Sequence, residues 1–321
     1  MPPARNLILL LALLLPCTLP AQTAPITLPL DYAGRHLYLT LTDDHLGPLN
    51  LMLDTGFQHT SLAAAVVAGK GQVHTSFWQR SMSYNGFGTG PSRRRYQTTA
   101  ITLRSGSATL FTGSALVADF NGLSQQFGHR LDGFLGWDFF QKWCATLDYA
   151  HARLTLRDPA HCTAPSGPYA ALRAQWTSQG LLLPAALTFP DGPAIKALLH
   201  FDTGSDITLL LNTQFRTPAG LDQKSATAQE SHGFGVNGRY TTDLVSMAKI
   251  DLDGQLQLNP GAYAMVAIAR AGAFATVHWW EGPSAMKINR DGILGNALLD
   301  RFRWTFDPAA KRLYAVPAAE N

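Results

Sequence analysis

The sequence predicts an all-β chain of two similar halves joined by a short linker. Three observations carry that expectation. Asp54-Thr55-Gly56 recurs as Asp202-Thr203-Gly204, 148 residues on, and each copy ends an apolar run, Leu51-Met52-Leu53 and Leu198-Leu199-His200-Phe201. From residue 26 onward the chain is written in short alternating apolar runs broken by Gly, Pro and Asp, the pattern of strands and tight turns. A second pair of motifs, Asp132-Gly133-Phe134-Leu135-Gly136 and Asp291-Gly292-Ile293-Leu294-Gly295, follows the first pair in the same order.

The elements follow in order. Residues 1–21 form a secretory leader: Arg5 supplies the positive end, residues 7–15 the apolar stretch, and residues 16–21 a breaker-rich end closing on Ala21. Cys17 leaves with it, and Pro16 is the wrong neighbour for lipoprotein processing. The expectation is an exported chain, periplasmic or secreted, with no membrane span after the leader, since no later run reaches about 18 apolar residues. Strands are expected at 26–30, 37–41 and 49–53, a short helix at 62–67, and a glycine-dense hairpin tip at Tyr84-Asn85-Gly86-Phe87-Gly88-Thr89-Gly90. Strands at 97–103, 108–111 and 115–118 precede the first Asp-Gly-Phe-Leu-Gly, a helical turn and a last strand at 145–156.

Residues 159–168 read as a linker, after a first half at 25–158 and before a second at 169–321. Strands at 181–187, 194–201 and 207–211 then restart the pattern. A second glycine-dense tip spans 232–238, and strands at 303–306 and 313–316 close the chain. The spacing repeats. Asp54 to Gly86 is 32 residues and Asp202 to Gly233 is 31, while Asp132 to Asp148 and Asp291 to Asp307 are both 16. Only the stretch between glycine tip and Asp-Gly differs, 46 residues against 58, and loops absorb such insertions. It carries Trp279-Trp280 in the second half, as core or as a binding surface.

Composition narrows the function. With 321 residues, 46% hydrophobic and 15% charged, the chain can bury a sizeable core. A net charge of +3 with no basic patch interleaved with aromatics argues against a nucleic-acid partner. No Cys-x-x-Cys, His-Glu-x-x-His or paired-His spacing suggests a metal, and no cofactor motif is present. Cys144 and Cys162 are expected to form a disulfide in an oxidising compartment, against the alternative of two unrelated buried thiols.

The repeated Asp residues carry the chemistry. Two carboxylates in matched turns, brought to within about 3 Å, cannot both ionise, so they share a proton and their pKa values part. One is then a base toward a bound water and the other an acid toward a carbonyl oxygen. Gly56 and Gly204 permit the turns, and Thr55 and Thr203 can hydrogen-bond across to lock them. An isolated Asp-Gly turn is more often plain structure. Asp148 and Asp307 read as strand-end residues, and Ser92-Arg93-Arg94-Arg95 as a solvated hairpin arm.

With both motif pairs in place, the sequence resembles the pepsin- and retropepsin-type aspartic proteases over residues 25–317, most of all a bacterial exported two-lobed retropepsin-like protein. The resemblance implies two acid-protease-like β-barrel lobes with a substrate cleft between them. It implies a catalytic pair, Asp54 and Asp202, and support from Thr55, Gly56, Thr203, Gly204 and Ser205. It also implies a flap over the cleft, carried here by Tyr84, Gly86, Phe87 and Gly88. The partner would be a peptide or protein substrate, and the protein a monomer. A hydroxyl residue usually follows the motif in pepsin-type enzymes. Ser205 fits, but Phe57 stands in the first half, so Asp54 is expected to be the less acidic carboxyl. A non-catalytic peptide-binding relative and a glycosidase using the same carboxylates are the alternatives.

Overall fold

The computed structural model describes residues 24–70, 73–74, 83–84, 94–95, 97–120, 122–190, 192–212, 229–235, 238–258, 265–269 and 290–318. The leader expected at 1–21, the tip residues Gly86, Phe87 and Gly88, and Trp279-Trp280 lie outside them.

The protein is largely β-sheet. In the first half a closed six-stranded barrel forms from His36–Asp43, Gly47–Leu53, Gly133–Leu135, Ser61–Ala63, Ala108–Ala118 and Gln97–Ser105. It closes where Gln97–Ser105 pairs back onto His36–Asp43, Thr42 opposite Arg104. Alternation decides which residues line the interior. Leu37, Leu39 and Leu41, then Leu49, Leu51 and Leu53, turn inward to the main core, and Tyr38 and Met52 turn to the opposite face. Buried Asp43 pins one end: its carboxylate accepts from the His45, Leu46 and Thr102 N–H groups at 2.8–3.0 Å.

In the second half a sheet runs from Gln229–Gly235 through Gly238–Ser246, Met265–Ala269, Leu209–Leu211, Gly292–Leu294, Ala194–Phe201 and Gly180–Thr188 to Lys249–Leu252 and Leu256–Leu258, with Gln175–Thr177 beside Gly180–Thr188. Leu181, Leu183 and Leu187 repeat the alternation of the first half. A third sheet joins the two halves, in the order Ile26–Pro29, Arg153–Arg157, Cys144–Asp148, Phe302–Asp307, Arg312–Pro317, Ala170–Arg173. Its central seam pairs Ala145 with Phe306 and Leu147 with Trp304. Trp137, Phe140, Phe201, Trp304 and Phe306 are fully buried beside it.

Several local expectations change. Residues 145–156 are not one strand but a hairpin, Cys144–Asp148 and Arg153–Arg157, turned at Ala152, whose φ is +46°. Asp148 caps that turn by accepting the His151 N–H, as Asp307 accepts the Ala310 N–H. The runs at 108–111 and 115–118 are one strand, Ala108–Ala118, because one ladder with Gln97–Ser105 runs through both, with a register shift between Leu103 and Arg104. The helix expected at 62–67 is shorter, Ala64–Val67, since Ser61–Ala63 is taken into the barrel. The 159–168 stretch opens with a 3-10 turn, Pro159–His161, capped by the Asp158 carboxylate. A disulfide joins Cys144 to Cys162 just after it. Among the described residues no helix is long and apolar enough to cross a membrane.

Candidate active site

Each Asp-Thr-Gly turn sits at the end of a strand that is crossed by a short parallel neighbour. Gly133–Leu135 lies parallel to Gly47–Leu53 and antiparallel to Ser61–Ala63. Gly292–Leu294 lies parallel to Ala194–Phe201 and antiparallel to Leu209–Leu211. The bonds that aim the turns match one for one. The Asp54 N–H donates to the Leu135 carbonyl and the Asp202 N–H to the Leu294 carbonyl, both at 3.0 Å. The Asp132 carboxylate accepts the Asn50 N–H and the Asp291 carboxylate the Leu198 N–H, both at 2.8 Å. The glycines of the crossing strands fit because nothing larger can: a side chain on Gly133 or Gly292 would collide with the Ser61 or Leu210 carbonyl.

Four hydrogen bonds bind the two turns to each other. Thr55 Oγ1 donates to the Phe201 carbonyl at 2.7 Å and accepts the Thr203 N–H at 3.1 Å. Thr203 Oγ1 donates to the Leu53 carbonyl at 2.9 Å and accepts the Thr55 N–H at 3.0 Å. Both threonines are fully buried. This lock puts each glycine against the opposite carboxyl: a methyl on Gly56 would overlap Asp202, and one on Gly204 would overlap Asp54.

The carboxyls of Asp54 and Asp202 therefore meet, buried but for 8% of each residue's surface. Burial, the facing Asp202 charge and the hydrogen bond between the two side chains hold Asp54 well above the ordinary carboxylate range. Burial also raises Asp202, but Arg290 nearby pulls it back, as do the Gly204 N–H and the Asp54 side chain. Both carboxyls stand above the ordinary carboxylate range. The Arg290 charge acts on the pair, on Asp202 first and on Asp54 second. The Phe57 N–H still donates to Asp54 Oδ1 at 3.0 Å, matching the Gly204 N–H on Asp202 Oδ1 at 2.9 Å.

Phe57 points away from the carboxyl, into an apolar cluster with Phe120 and Phe134. Ser205 supports its turn through the backbone, its carbonyl accepting the Asn296 N–H at 2.7 Å. Tyr84 lies in a two-residue antiparallel ladder opposite Arg94, a position suited to a hairpin base. The second tip is a hairpin, Gln229–Gly235 with Gly238–Ser246, and Phe234 on it is 44% exposed. Among the described residues no cluster of three His, Cys, Asp or Glu is placed to hold a metal ion.

Sequence reading missed the polar residues behind the second turn. Fully buried Asn296 donates from Nδ2 to the Thr203 and Arg35 carbonyls, both at 2.7 Å, and accepts from the Tyr149 hydroxyl at 2.6 Å. The available signal was its place directly after Asp-Gly-Ile-Leu-Gly, where the first half has Trp137. Burial raises the Tyr149 hydroxyl far above its usual range, so it is a neutral donor.

No protein-family model and no curated protein matches the sequence. The crystal structure of an aspartic proteinase from Irpex lacteus is similar at 16% identity and a TM-score of 0.50, over 92% of this chain and 98% of that one. The likeness is one of fold, and it is to a fungal pepsin-like enzyme rather than to a bacterial retropepsin relative. The protein has a largely β architecture of the acid-protease kind.

Proposed function

We propose that the protein is an aspartic endopeptidase in which Asp54 and Asp202 activate a water for attack on a peptide bond. The meeting of two buried carboxyls from matched turns, both held above the ordinary range, carries this reading. The ionised carboxyl takes a proton from the water as its oxygen bonds to the carbonyl carbon. The protonated carboxyl gives its proton to the carbonyl oxygen, leaving a gem-diol. The first carboxyl then passes its proton to the amide nitrogen as the C–N bond breaks. The second recovers a proton from one hydroxyl as the new carboxyl group forms. The pair returns to its starting state, and neither metal nor covalent intermediate is needed.

In this reading residues 25–158 and 169–321 are two lobes, with the substrate cleft between them above the carboxyls. The hairpin at Tyr84, Gly86, Phe87 and Gly88 folds over the substrate, and the Gln229–Gly235 hairpin is its counterpart in the second half. Residues 1–21 export the protein, which acts as a monomer. Direct contact between the carboxyls favours peptide over glycoside hydrolysis, which needs about 5 Å or more between them. The N–H that Phe57 still gives Asp54 favours an active enzyme over a binding relative.

The test compares the mature protein with Asp54→Asn and Asp202→Asn on a mixed peptide library from pH 3 to 7. Cleavage by wild type alone supports the reading. Equal cleavage by all three refutes the dyad, and no cleavage by any refutes the peptidase.

A further inference from the structure

The half that carries Asp202 departs from the half that carries Asp54 at two matched positions. Two residues before the first Asp stands Met52, and two before the second stands His200. They hold the same register on the crossing strands, Met52 opposite Phe134 and His200 opposite Ile293. Just ahead of those strands, Leu131 precedes Asp132 and Arg290 precedes Asp291. In the first half Met52, Leu131 and Phe134 share one apolar cluster with Phe57. In the second half the matched pair is an imidazole and a guanidinium bonded to each other, Arg290 Nη1 donating to His200 Nδ1.

That bond fixes the state of the imidazole. A nitrogen that accepts from a guanidinium carries no proton, so His200 is neutral with its hydrogen on Nε2. Its burial and the Arg290 charge push the same way, well below the usual imidazole range. The Nε2 edge is packed against Gly180, where any side chain would overlap the ring and where φ is +148°. His200 thus holds the guanidinium without sharing its charge. The guanidinium is half-buried, where a facing anion stabilises it. Among the described residues the anions whose fields reach Arg290 are Asp202 first and Asp54 second.

We propose that Arg290, held by His200, is the positioning residue that sets the polarity of the carboxyl pair, keeping the negative charge on Asp202 and the shared proton on Asp54. The proposal rests on the peptidase reading and assigns its roles: Asp202 takes the proton of the water and Asp54 protonates the carbonyl oxygen. Among the described residues the other groups that face the pair do not supply this bias. Tyr149 and Tyr240 sense Asp202 but are neutral, the Tyr240 hydroxyl pushed up to about 12 by burial and by Asp206 and Asp202. Asp206 is exposed and acts on Tyr240 and His36. The threonine lock and the turn N–H groups serve both carboxyls alike.

The experiment is a carboxyl carbon NMR titration of the intact mature protein labelled at Asp, with the two signals assigned by their loss in Asp54→Asn and Asp202→Asn. It is run on wild type, Arg290→Leu, Arg290→Lys, and Arg290→Leu combined with His200→Met, which copies the apolar pair of the first half and so protects folding. Loss of the guanidinium should raise the lower apparent pKa of the pair by about one unit or more, and Arg290→Lys should restore most of it. The acid limb of the peptide-cleavage pH profile should move up with it. A folded double variant whose lower value stays within about 0.3 unit of wild type overturns the proposal. If wild type cleaves no peptide, the peptidase reading fails while the titration still decides whether Arg290 polarises the pair.

Discussion

Replacing Thr55 by Val keeps the shape of the side chain and removes one hydroxyl. That hydroxyl donates to the Phe201 carbonyl at 2.7 Å and accepts the Thr203 N–H at 3.1 Å. Phe201 and Thr203 are both 0% exposed, so water replaces neither bond. Each stranded buried group costs about 1–3 kcal/mol, which puts the loss at about 2–6 kcal/mol. Thr203→Val strands the Leu53 carbonyl and the Thr55 N–H and should cost the same. Against a typical domain stability of about 5–15 kcal/mol, the double variant should be at the edge of folding. Thr55→Ser keeps the hydroxyl and sheds a methyl, for a loss of about 1 kcal/mol. Urea unfolding followed by tryptophan fluorescence measures all four. If Thr55→Val is no less stable than Thr55→Ser, the hydroxyl does not join the turns and the reasoning is wrong.

Three further outcomes are expected. Asp54 has a raised folded-state pKa, so its contribution to stability is full below the ordinary carboxylate range and is lost as pH rises through the raised value. Asp54→Asn should therefore gain in melting temperature over wild type at pH 7 and lose that gain toward pH 3; an equal difference at both pH values would contradict the burial argument. Gly204→Ala places a methyl into the Asp54 carboxyl and should lower peptide cleavage about 100-fold, which a retained rate within tenfold would disprove. Removing the Cys144–Cys162 bond with serines opens an 18-residue loop and should cost about 3 kcal/mol in denaturant unfolding, and no loss would show that the link is idle.

Much of the site was legible because its residues recur at fixed spacing. Asp54 and Asp202, their threonines and their glycines could be picked out together, and alternation placed the strands that carry them. Alternation was less reliable where tertiary pairing overrides the local pattern. Gly113 interrupts the apolar run at 108–118, yet the ladder opposite continues through it. The run at 145–156 looks continuous, yet Ala152 turns it. Arg290, His200 and Tyr149 gave no signal of their own, and Asn296 only its place after Asp-Gly-Ile-Leu-Gly. A polar residue in an apolar pattern reads as an interruption until its buried partner, about 90 to 150 residues away in the chain, is known.

The Asp-Thr-Gly pair, the all-β character and the two-part order of motifs were determined by sequence alone, because periodicity and turn chemistry are local properties. The tertiary structure decided how the halves meet. It set the strands Cys144–Asp148 and Phe302–Asp307 side by side and crossed the threonine hydroxyls between turns. It also brought a guanidinium to the carboxyl pair, acting on Asp202 first and on Asp54 second. Proton affinity depends on burial and on charges within a few ångströms, and those neighbours come from segments far apart in the chain. Phe57 is the difference between the turns that the sequence displays, and Arg290 is one that only the fold brings to them.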